Sequence, residues 1–241
     1  MAAADQRASP CRCDWGVHGL ESLAPADVVI VVDVLSFSTC VDIAVARGGA
    51  IVPYAWNDAS AAVFADLHGA EVAGSRGNSR YSLSPASFVD APAGLRCVLP
   101  SPNGGAVALN AVMSGAIVVA ACLRNATAVA DAVPSLGKTF NVVAAGERWR
   151  DGSLRRAMED WVAAGAILRR LPGPRSPEAE AAVAAFEHAS GDLGGFIADS
   201  GSGRELIARG FGQDVELAAA FDVSSQVPTY ERGAFVARRQ R

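Results

Sequence analysis

The stretch DVVIVVDVLSFST, residues 27–39, joins a run of β-branched residues to a polar segment and then to a helical pattern. Such a run is typical of a buried strand, and here it ends at Asp33. Residues 96–105, RCVLPSPNGG, repeat this order, because a short apolar run ends in small polar residues and glycines. Strands that lead directly into helices predict an α/β protein, a layered α/β/α domain with a mostly parallel or mixed sheet.

The same alternation of apolar runs and Ala-rich helical segments continues along the chain. It predicts strands at 27–34, 50–54, 70–74, 96–100, 116–122 and 139–146. Helices are expected at about 38–48, 57–68, 104–114, 124–133 and 153–171. Beyond residue 177 the pattern is mostly helical to residue 221, and an edge strand with a basic tail is expected after it. We predict one domain over 1–241, or two tightly joined lobes at about 1–150 and 151–241.

The composition excludes several classes of partner. The net charge is -4 and the arginines are spread along the chain, which disfavours nucleic acid. No apolar run reaches the roughly 18 residues of a membrane span, and the opening residues lack a signal peptide's hydrophobic stretch. We therefore expect a cytoplasmic protein without a membrane partner. The hydrophobic content of 51% is compatible with a homodimer.

The cysteines, lysine and histidines exclude several chemistries. Five cysteines, an odd number, predict reduced thiols, and we expect Cys11 and Cys13 to lie in a frayed terminus because no second pair follows at zinc spacing. Lys138 is the single lysine, and its GKT is not a P-loop because the first glycine of that motif would fall at Ala132. The three histidines lie far apart and in no nucleophile motif, so a Ser–His–Asp triad has no support.

Four polar segments should meet at one edge of the predicted sheet. They are residues 33–39, 101–105 and 146–152 and the long loop at 75–94. Ligands of such sheets bind at the carboxyl ends of the strands, near helix N-termini whose free N–H groups favour anions. A carboxylate that closes a buried strand needs a partner, so we expect Asp33 to meet a divalent cation or a ligand hydroxyl. Ser38 and Thr39 could contact the ligand or simply cap a helix.

Six blocks of the sequence distinguish between phosphatase classes. Haloacid-dehalogenase-type enzymes place a second aspartate two residues after the first, and here that position is Leu35, so their mechanism is not adopted. In order, the blocks resemble the ComB-like 2-phosphosulfolactate phosphatases: VVIVVDVLSFSTCVDIAVARGGAIVPY, LSPASF, VLPSPNGGAVAL, AAGERW, MEDWVAAGAIL and GFGQDVELAAAFDVSSQVPTY. The resemblance covers about residues 15–235. It implies the family's fold and a magnesium-dependent release of phosphate from a sulfonated hydroxy acid on the route to coenzyme M.

The resemblance also implies roles for particular residues. The acidic positions that it implies as ligands of Mg²⁺ are Asp33, Glu147, Asp160 and Asp214. Catalytic roles are implied for Asp33, Asn103, Glu147 and Asp160. Family members commonly have an arginine after DVL and threonines before NG, whereas this chain has Ser36 and the pair Ser101–Pro102. A missing guanidinium removes a bidentate partner for an anion, so the substrate is less defined than the reaction.

The substrate is expected to be a small phosphorylated, sulfonated hydroxy acid. Backbone N–H groups near the two glycines and near Ser38 would hold its phosphate, and Arg76 or Arg148, or else Arg80, would bind a second anion. The full set of expected substrate contacts is Ser36, Ser38, Thr39, Ser101, Asn103, Gly104, Gly105, Arg76 and Arg148.

Other interpretations of these residues remain open. Glu159 and Asp160 could form ion pairs within a helix with Arg155 and Arg156, and Asp214 could complement a helix dipole. Attack on phosphorus could come from water or from Asp33. The chain could also hydrolyse another small phosphorylated hydroxy acid, or bind a phosphometabolite without catalysis.

Overall fold

The computed structural model describes residues 5–56 and 58–238. Its strands are β1 Cys11–Trp15, β2 Val28–Val32, β3 Ala50–Tyr54, β4 Glu71–Val72, β5 Arg96–Pro100, β6 Ile117–Ala121, β7 Phe140–Ala144, β8 Glu147–Arg148, β9 Leu154–Arg155, β10 Pro228–Glu231 and β11 Ala234–Ala237. Its helices are α1 Gly16–Ser22, α2 Phe37–Ala46, α3 Ser60–Leu67, α4 Gly104–Met113, α5 Ala126–Ala132, α6 Met158–Leu168, α7 Pro177–Ala189, α8 Leu193–Asp199, α9 Gly201–Ala208 and α10 Gly212–Ala219.

Within these residues, nine strands form one sheet in the order β1-β7-β2-β6-β10-β11-β3-β5-β4. The pairs formed by β1, β2 and β7 and those of β3, β4 and β5 are parallel, and β2 also pairs in parallel with β6. The hairpin β10–β11 is antiparallel to both of its neighbours, β6 and β3. The strands β8 and β9 form a separate small ribbon. The predicted α/β architecture with a mostly parallel, mixed sheet is confirmed.

The strand β2 is apolar at every position because helices cover both faces of the sheet. Val28, Ile30 and Val32 pack in one core with residues of α5, α6 and α7. Val29 and Val31 point the other way and pack with α2 and α4. Successive side chains of a strand point to opposite faces of the sheet. The four valines and one isoleucine of β2 therefore pack into both cores. The carboxyl end of β2, where Asp33 follows, therefore opens between two helical layers.

Two predictions about the ends of the chain were wrong. Cys11 and Cys13 do not lie in a frayed terminus: β1 pairs with β7 along five residues and both thiols are buried. The last segment is not an edge strand, because it forms the hairpin β10–β11 in the middle of the sheet. Such short strands give little pattern to the sequence, and long-range pairing decides where they lie. Residues 1–4, residue 57 at the predicted start of a helix, and residues 239–241 of the predicted tail lie outside the described residues.

Two connections shape the site edge of the sheet. The helix predicted from residue 153 begins at Met158, because Leu154–Arg155 pairs with Glu147–Arg148 as a ribbon. The long loop at 75–94 contains a 3-10 turn at Pro85–Phe88, whose Phe88 is buried and stacks on Tyr81. The five cysteines are free thiols, as predicted, and all five are buried. No helix in the described part of the chain is long and apolar enough to cross a membrane.

Candidate active site

Asp33 links the N-termini of two helices at the carboxyl end of β2. Its Oδ1 accepts a hydrogen bond from the N–H of Phe37 at 3.0 Å, and its Oδ2 accepts one from the N–H of Gly104 at 2.8 Å. A Cβ at position 104 would lie 2.5 Å from that oxygen, so glycine is required for this approach. Burial raises the pKa of Asp33 to about 6, against the effect of the two N–H groups, and the negative charge of Glu159 raises it further.

The glycine turn before α4 therefore binds a carboxylate of the protein itself, that of Asp33. Gly104 donates to Asp33, and Ser38 donates its N–H to the Asp33 carbonyl at 2.8 Å. The hydroxyls of Ser38 and Thr39 donate to the carbonyls of Val31 and Val34, at 3.0 and 2.8 Å. Both hydroxyls thus face backbone atoms. Neither residue caps α2, because the N-cap of that helix is Ser36, which makes no side-chain capping bond.

Two other N–H groups at the same two turns donate no hydrogen bond within the described residues. Among the described residues, the N–H groups of Ser36 and Gly105 have no acceptor in hydrogen-bonding geometry. Gly105 packs against β3, since a Cβ there would lie 2.8 Å from the carbonyl oxygen of Tyr54. Ser101 is buried beside it and donates its N–H to the same carbonyl at 2.8 Å. The turn keeps one glycine N–H for an external acceptor.

Asp160 joins the loops that follow β2 and β7. Its Oδ1 accepts from the N–H of Val34 at 2.7 Å, and its Oδ2 accepts from the N–H of Gly146 at 2.9 Å. Burial raises its pKa well above the usual range, and the charges of Asp33 and Glu159 act in the same direction. The predicted alternative of ion pairs within the helix is wrong, because Arg155 lies outside α6 and pairs with Glu205 at 3.1 Å. Asp160 instead fixes two site loops to α6.

Glu147 and Asn103 bring the loops after β7 and β5 together. The Nδ2 of Asn103 donates to the Oε2 of Glu147 at 2.8 Å. Burial raises the pKa of Glu147 to about 7, and the charge of Asp33 adds to the shift. A cavity of about 140 Å³ opens beside this pair, and its wall includes Trp15, His18, Arg148 and Leu154. Arg148 is exposed at the rim, where its guanidinium donates to the carbonyl of Pro102 at 2.9 Å.

Arg76 and Asp214 hold the long loop to α10. The guanidinium of Arg76 donates to the Oδ2 of Asp214 at 2.5 Å, to the Oγ of Ser36 at 3.2 Å and to the carbonyl of Leu83. The Oδ1 of Asp214 accepts from the hydroxyl of Ser84 at 2.6 Å and from the N–H of Ala86 at 3.1 Å. Both Asp214 oxygens are thus engaged, and an arginine balances the charge.

Arg80 and Glu159 are two further charged residues that the sequence analysis considered. Arg80 lies over the ring of Tyr81 at 5.2 Å and away from the acidic residues described above. Glu159, which sequence reasoning treated only as a helix ion-pair partner, is buried in the first turn of α6 beside Asp160. Its place in MEDWVAAGAIL was the available signal, because an acid next to a long apolar stretch can lie on the buried face.

The acidic side chains at this edge of the sheet supply only some of the ligands that a hard cation such as Mg²⁺ needs. In the chain as described, no three His, Cys, Asp or Glu side chains are grouped closely enough to hold a metal ion by themselves. Mg²⁺ is commonly held by one or two carboxylates, with waters and phosphate oxygens in the remaining positions. Asp33 and Glu147 supply such carboxylates, and no basic side chain pairs with either within the described residues.

Comparison with known proteins identifies the family of this chain. A family model described as 2-phosphosulpholactate phosphatase matches residues 17–233. The chain is 32% identical over 210 residues to the 2-phosphosulfolactate phosphatase of Methanothermobacter thermautotrophicus, which covers 85% of this chain and 87% of the relative. It is 31% identical over 222 residues to a probable 2-phosphosulfolactate phosphatase of Deinococcus radiodurans, covering 86% and 89%. As its sequence blocks predicted, the chain belongs to the 2-phosphosulfolactate phosphatase family of phosphoric monoester hydrolases.

Proposed function

We propose that the protein hydrolyses 2-phosphosulfolactate to sulfolactate and phosphate in a magnesium-dependent reaction. The observation that carries this proposal is the meeting of Asp33, Glu147 and Asn103 at the carboxyl edge of the sheet, where neither carboxylate forms an ion pair within the described residues. Carboxylates left without a cation at such an edge favour a divalent ion. The family match supports the choice of phosphoryl chemistry.

Asp33 and Glu147 are the residues that would hold Mg²⁺. Each Asp33 oxygen accepts one hydrogen bond and so keeps a lone pair, and Glu147 has a hydrogen bond to only one of its oxygens. When bound, the ion would balance the charge of the phosphoryl group during its transfer. Asp160 positions the loops through its two N–H contacts, and Asp214 lies outside the proposed metal site because Arg76 already balances its charge.

The substrate would span the cleft from the glycine turn to the cavity. The free N–H groups of Ser36 and Gly105 would donate hydrogen bonds to phosphate oxygens, and the hydroxyl of Ser36 accepts one from the Arg76 guanidinium. Arg76 thereby supplies a positive charge at Ser36, the position after DVL where family members commonly have an arginine. The cavity beside Asn103 would take the sulfonated end, with Arg148 at its rim.

Attack by water and attack by the Asp33 carboxylate make different predictions. An aspartyl phosphate formed by Asp33 would retain the phosphoryl group on the protein, whereas direct attack by water would not. Acid quenching during turnover of substrate labelled with ³²P distinguishes them. A covalent label located on the Asp33 carboxylate assigns the nucleophile to Asp33, and the absence of label during rapid turnover favours water.

Phosphate release from a panel of small phosphorylated acids, with Mg²⁺ or with a chelator, tests the proposed function. We expect metal-dependent turnover with a preference for 2-phosphosulfolactate. Turnover of a different acid would keep the reaction and replace the substrate. No release from any acid of the panel would contradict the proposal and favour a binding protein.

A further inference from the structure

The ribbon β8–β9 carries Glu147 to the site edge on very little secondary structure. It contains two residue pairs, with Glu147 opposite Arg155 and Arg148 opposite Leu154, and it is separate from the nine-stranded sheet. A two-stranded ribbon of this length is not stable by itself in water. Contacts outside the ribbon must therefore hold the Glu147 carboxylate in place.

Strand β8 is held by the glycine turn before α4. The Nδ2 of Asn103 donates to the Oε2 of Glu147 at 2.8 Å, and the guanidinium of Arg148 donates to the carbonyl of Pro102 at 2.9 Å. Both contacts start from β8, and neither involves a residue of β9. The second strand of the ribbon needs an anchor of its own.

Arg155 joins strand β9 to α9. Its Nη1 donates to the Oε1 of Glu205 at 3.3 Å and its Nη2 to the Oε2 at 3.1 Å, so the two side chains form a parallel pair of charge-assisted hydrogen bonds. The same guanidinium lies 5.6 Å from the centre of the Trp149 ring. Within the residues that the structure describes, no other ion pair reaches the ribbon.

Arg155 lies directly across the ribbon from Glu147 and yet forms no ion pair with it. Opposite residues of an antiparallel pair project from the same face, with their Cβ atoms about 5 Å apart. The guanidinium nevertheless turns to Glu205, and the Glu147 carboxylate keeps one oxygen without a hydrogen bond among the described residues. Arg155 can therefore anchor the ribbon without occupying the carboxylate that the ribbon carries.

We propose that Arg155 is a positioning residue of the reaction, which ties the ribbon to α9 through Glu205 and so fixes Glu147 beside Asn103 at the edge of the sheet. This inference rests on the proposed function for the role of Glu147. It adds Arg155 and Glu205, to which the resemblance gave no role. Two parallel donors restrain orientation as well as distance, which a single ammonium group at the same place would not do.

Glu180 offers a matched control for a substitution at Glu205. Each is a helical acid that pairs with one arginine, Glu180 with Arg175 at 3.0 Å and Glu205 with Arg155 at 3.1 Å, and the two acidic side chains are 54% and 62% exposed. The Arg175–Glu180 pair lies at the start of α7 and involves no residue of the ribbon. A difference between Glu205→Gln and Glu180→Gln therefore reports on the ribbon and not on the loss of an ion pair in general.

Hydrogen exchange of the ribbon, followed by mass spectrometry without substrate, tests the tie to α9. The N–H of Trp149, which donates to the carbonyl of Ser153 at 2.8 Å, reports on closure of the ribbon. We expect Glu205→Gln to speed exchange in residues 146–156 about threefold, and Glu180→Gln to leave it unchanged. The urea midpoints of the two variants should agree, because the opening is local. Unchanged exchange in Glu205→Gln would overturn the tie.

The kinetics of phosphate release separate positioning from a direct effect of charge. A displaced Glu147 should lower kcat about threefold in Glu205→Gln and about tenfold in Arg155→Ala, with KM for the substrate little changed. Removal of the Glu205 charge would by itself favour an anionic substrate and lower KM instead. Arg155→Lys, which keeps the charge, should recover part of the rate.

A double variant tests whether Glu205 acts through Arg155. If it does, Arg155→Ala combined with Glu205→Gln should have the kcat of Arg155→Ala alone. Additive losses in the double variant, or a normal kcat in Glu205→Gln, would overturn the role of Arg155. Faster ribbon exchange in Glu205→Gln, for a wild type that hydrolyses no phosphorylated acid, would support the tie to α9 and contradict the proposed function.

Discussion

The buried acids of this protein fall into two groups that differ in how their charge is balanced. Asp42 and Asp214 each pair with an arginine, Arg124 at 2.9 Å and Arg76 at 2.5 Å, and each accepts a further bond from a serine hydroxyl. The second group, Asp33, Glu147, Glu159 and Asp160, has no ion pair within the described residues.

The difference separates structural acids from reactive ones. An internally balanced carboxylate joins elements, as Asp214 joins the long loop to α10. A group of carboxylates without ion pairs attracts positive charge, which an external ion or a substrate can supply.

Replacement of Asp33 by Asn should have the largest effect on turnover. The amide cannot accept from both the Phe37 and Gly104 N–H groups, and it removes a charge from the proposed metal site. We expect the rate of phosphate release to fall by about 10³-fold or more and stability to fall by about 1–3 kcal/mol. Circular dichroism at the assay temperature controls for folding, and a folded variant with a near-normal rate would remove Asp33 from the mechanism.

Replacement of Asp214 by Asn should give the opposite profile. It leaves the partly buried Arg76 unbalanced, so the free energy of unfolding should fall by about 3 kcal/mol. Mg²⁺ dependence should persist, because Asp214 lies outside the proposed metal site. Urea denaturation and a Mg²⁺ titration of the rate measure the two effects, with Asp42→Asn as the second member of the balanced group. Loss of Mg²⁺ dependence without loss of stability would contradict the division into two groups.

The pH dependence of stability without metal should reflect the unbalanced acids. The pKa of Asp33 rises from 3.8 to about 6 and that of Glu147 from 4.5 to about 7 on folding, mainly through burial. A raised carboxyl pKa gives stability that is complete below the unfolded value and lost as the pH rises through the folded value. In chelator, the free energy of unfolding should therefore increase by up to about 4 kcal/mol from pH 7.5 to pH 5.

Urea denaturation across this pH range provides the measurement. Asp33→Asn should reduce the pH dependence, and saturating Mg²⁺ should flatten it, because the cation favours the ionised carboxylates. Stability that falls between pH 7.5 and pH 5 in chelator would show that these acids are balanced in a way the structure does not contain.

Removal of the rim charge by Arg148→Ala should have the smallest effect. The side chain is exposed, so we expect KM for 2-phosphosulfolactate to rise by about fivefold with kcat nearly unchanged. The exposed Arg209→Ala serves as a control for a general loss of positive charge. A large fall in kcat instead would place Arg148 against the reacting phosphate.

The sequence allowed the sheet and much of the site edge to be predicted, for physical reasons that differ between residues. The continuous β-branched run VVIVV and the position of Asp33 at its end are local signals, so both could be predicted directly. The pairing of β1 with β7 and the central place of β10–β11 depend on contacts more than 100 residues apart in sequence, which no local pattern carries.

The roles of individual polar atoms were harder to predict. The N–H of Gly104 was expected to bind phosphate, but Asp33, 71 residues away, accepts from it. Glu159 looked like a solvent-exposed ion-pair partner because the helix was expected to begin at 153, and its true start at Met158 leaves Arg155 on a strand. A boundary shift of five residues thus changed the apparent environment of an acid.

The most direct test is the rate of phosphate release from 2-phosphosulfolactate as a function of Mg²⁺ concentration, for the wild type, Asp33→Asn and Asp214→Asn. We expect saturable Mg²⁺ dependence for the wild type and for folded Asp214→Asn, no turnover in chelator, and a rate for Asp33→Asn about 10³-fold or more below the wild type at every Mg²⁺ concentration. Undiminished turnover in chelator, or an active Asp33→Asn beside an inactive but folded Asp214→Asn, would contradict it.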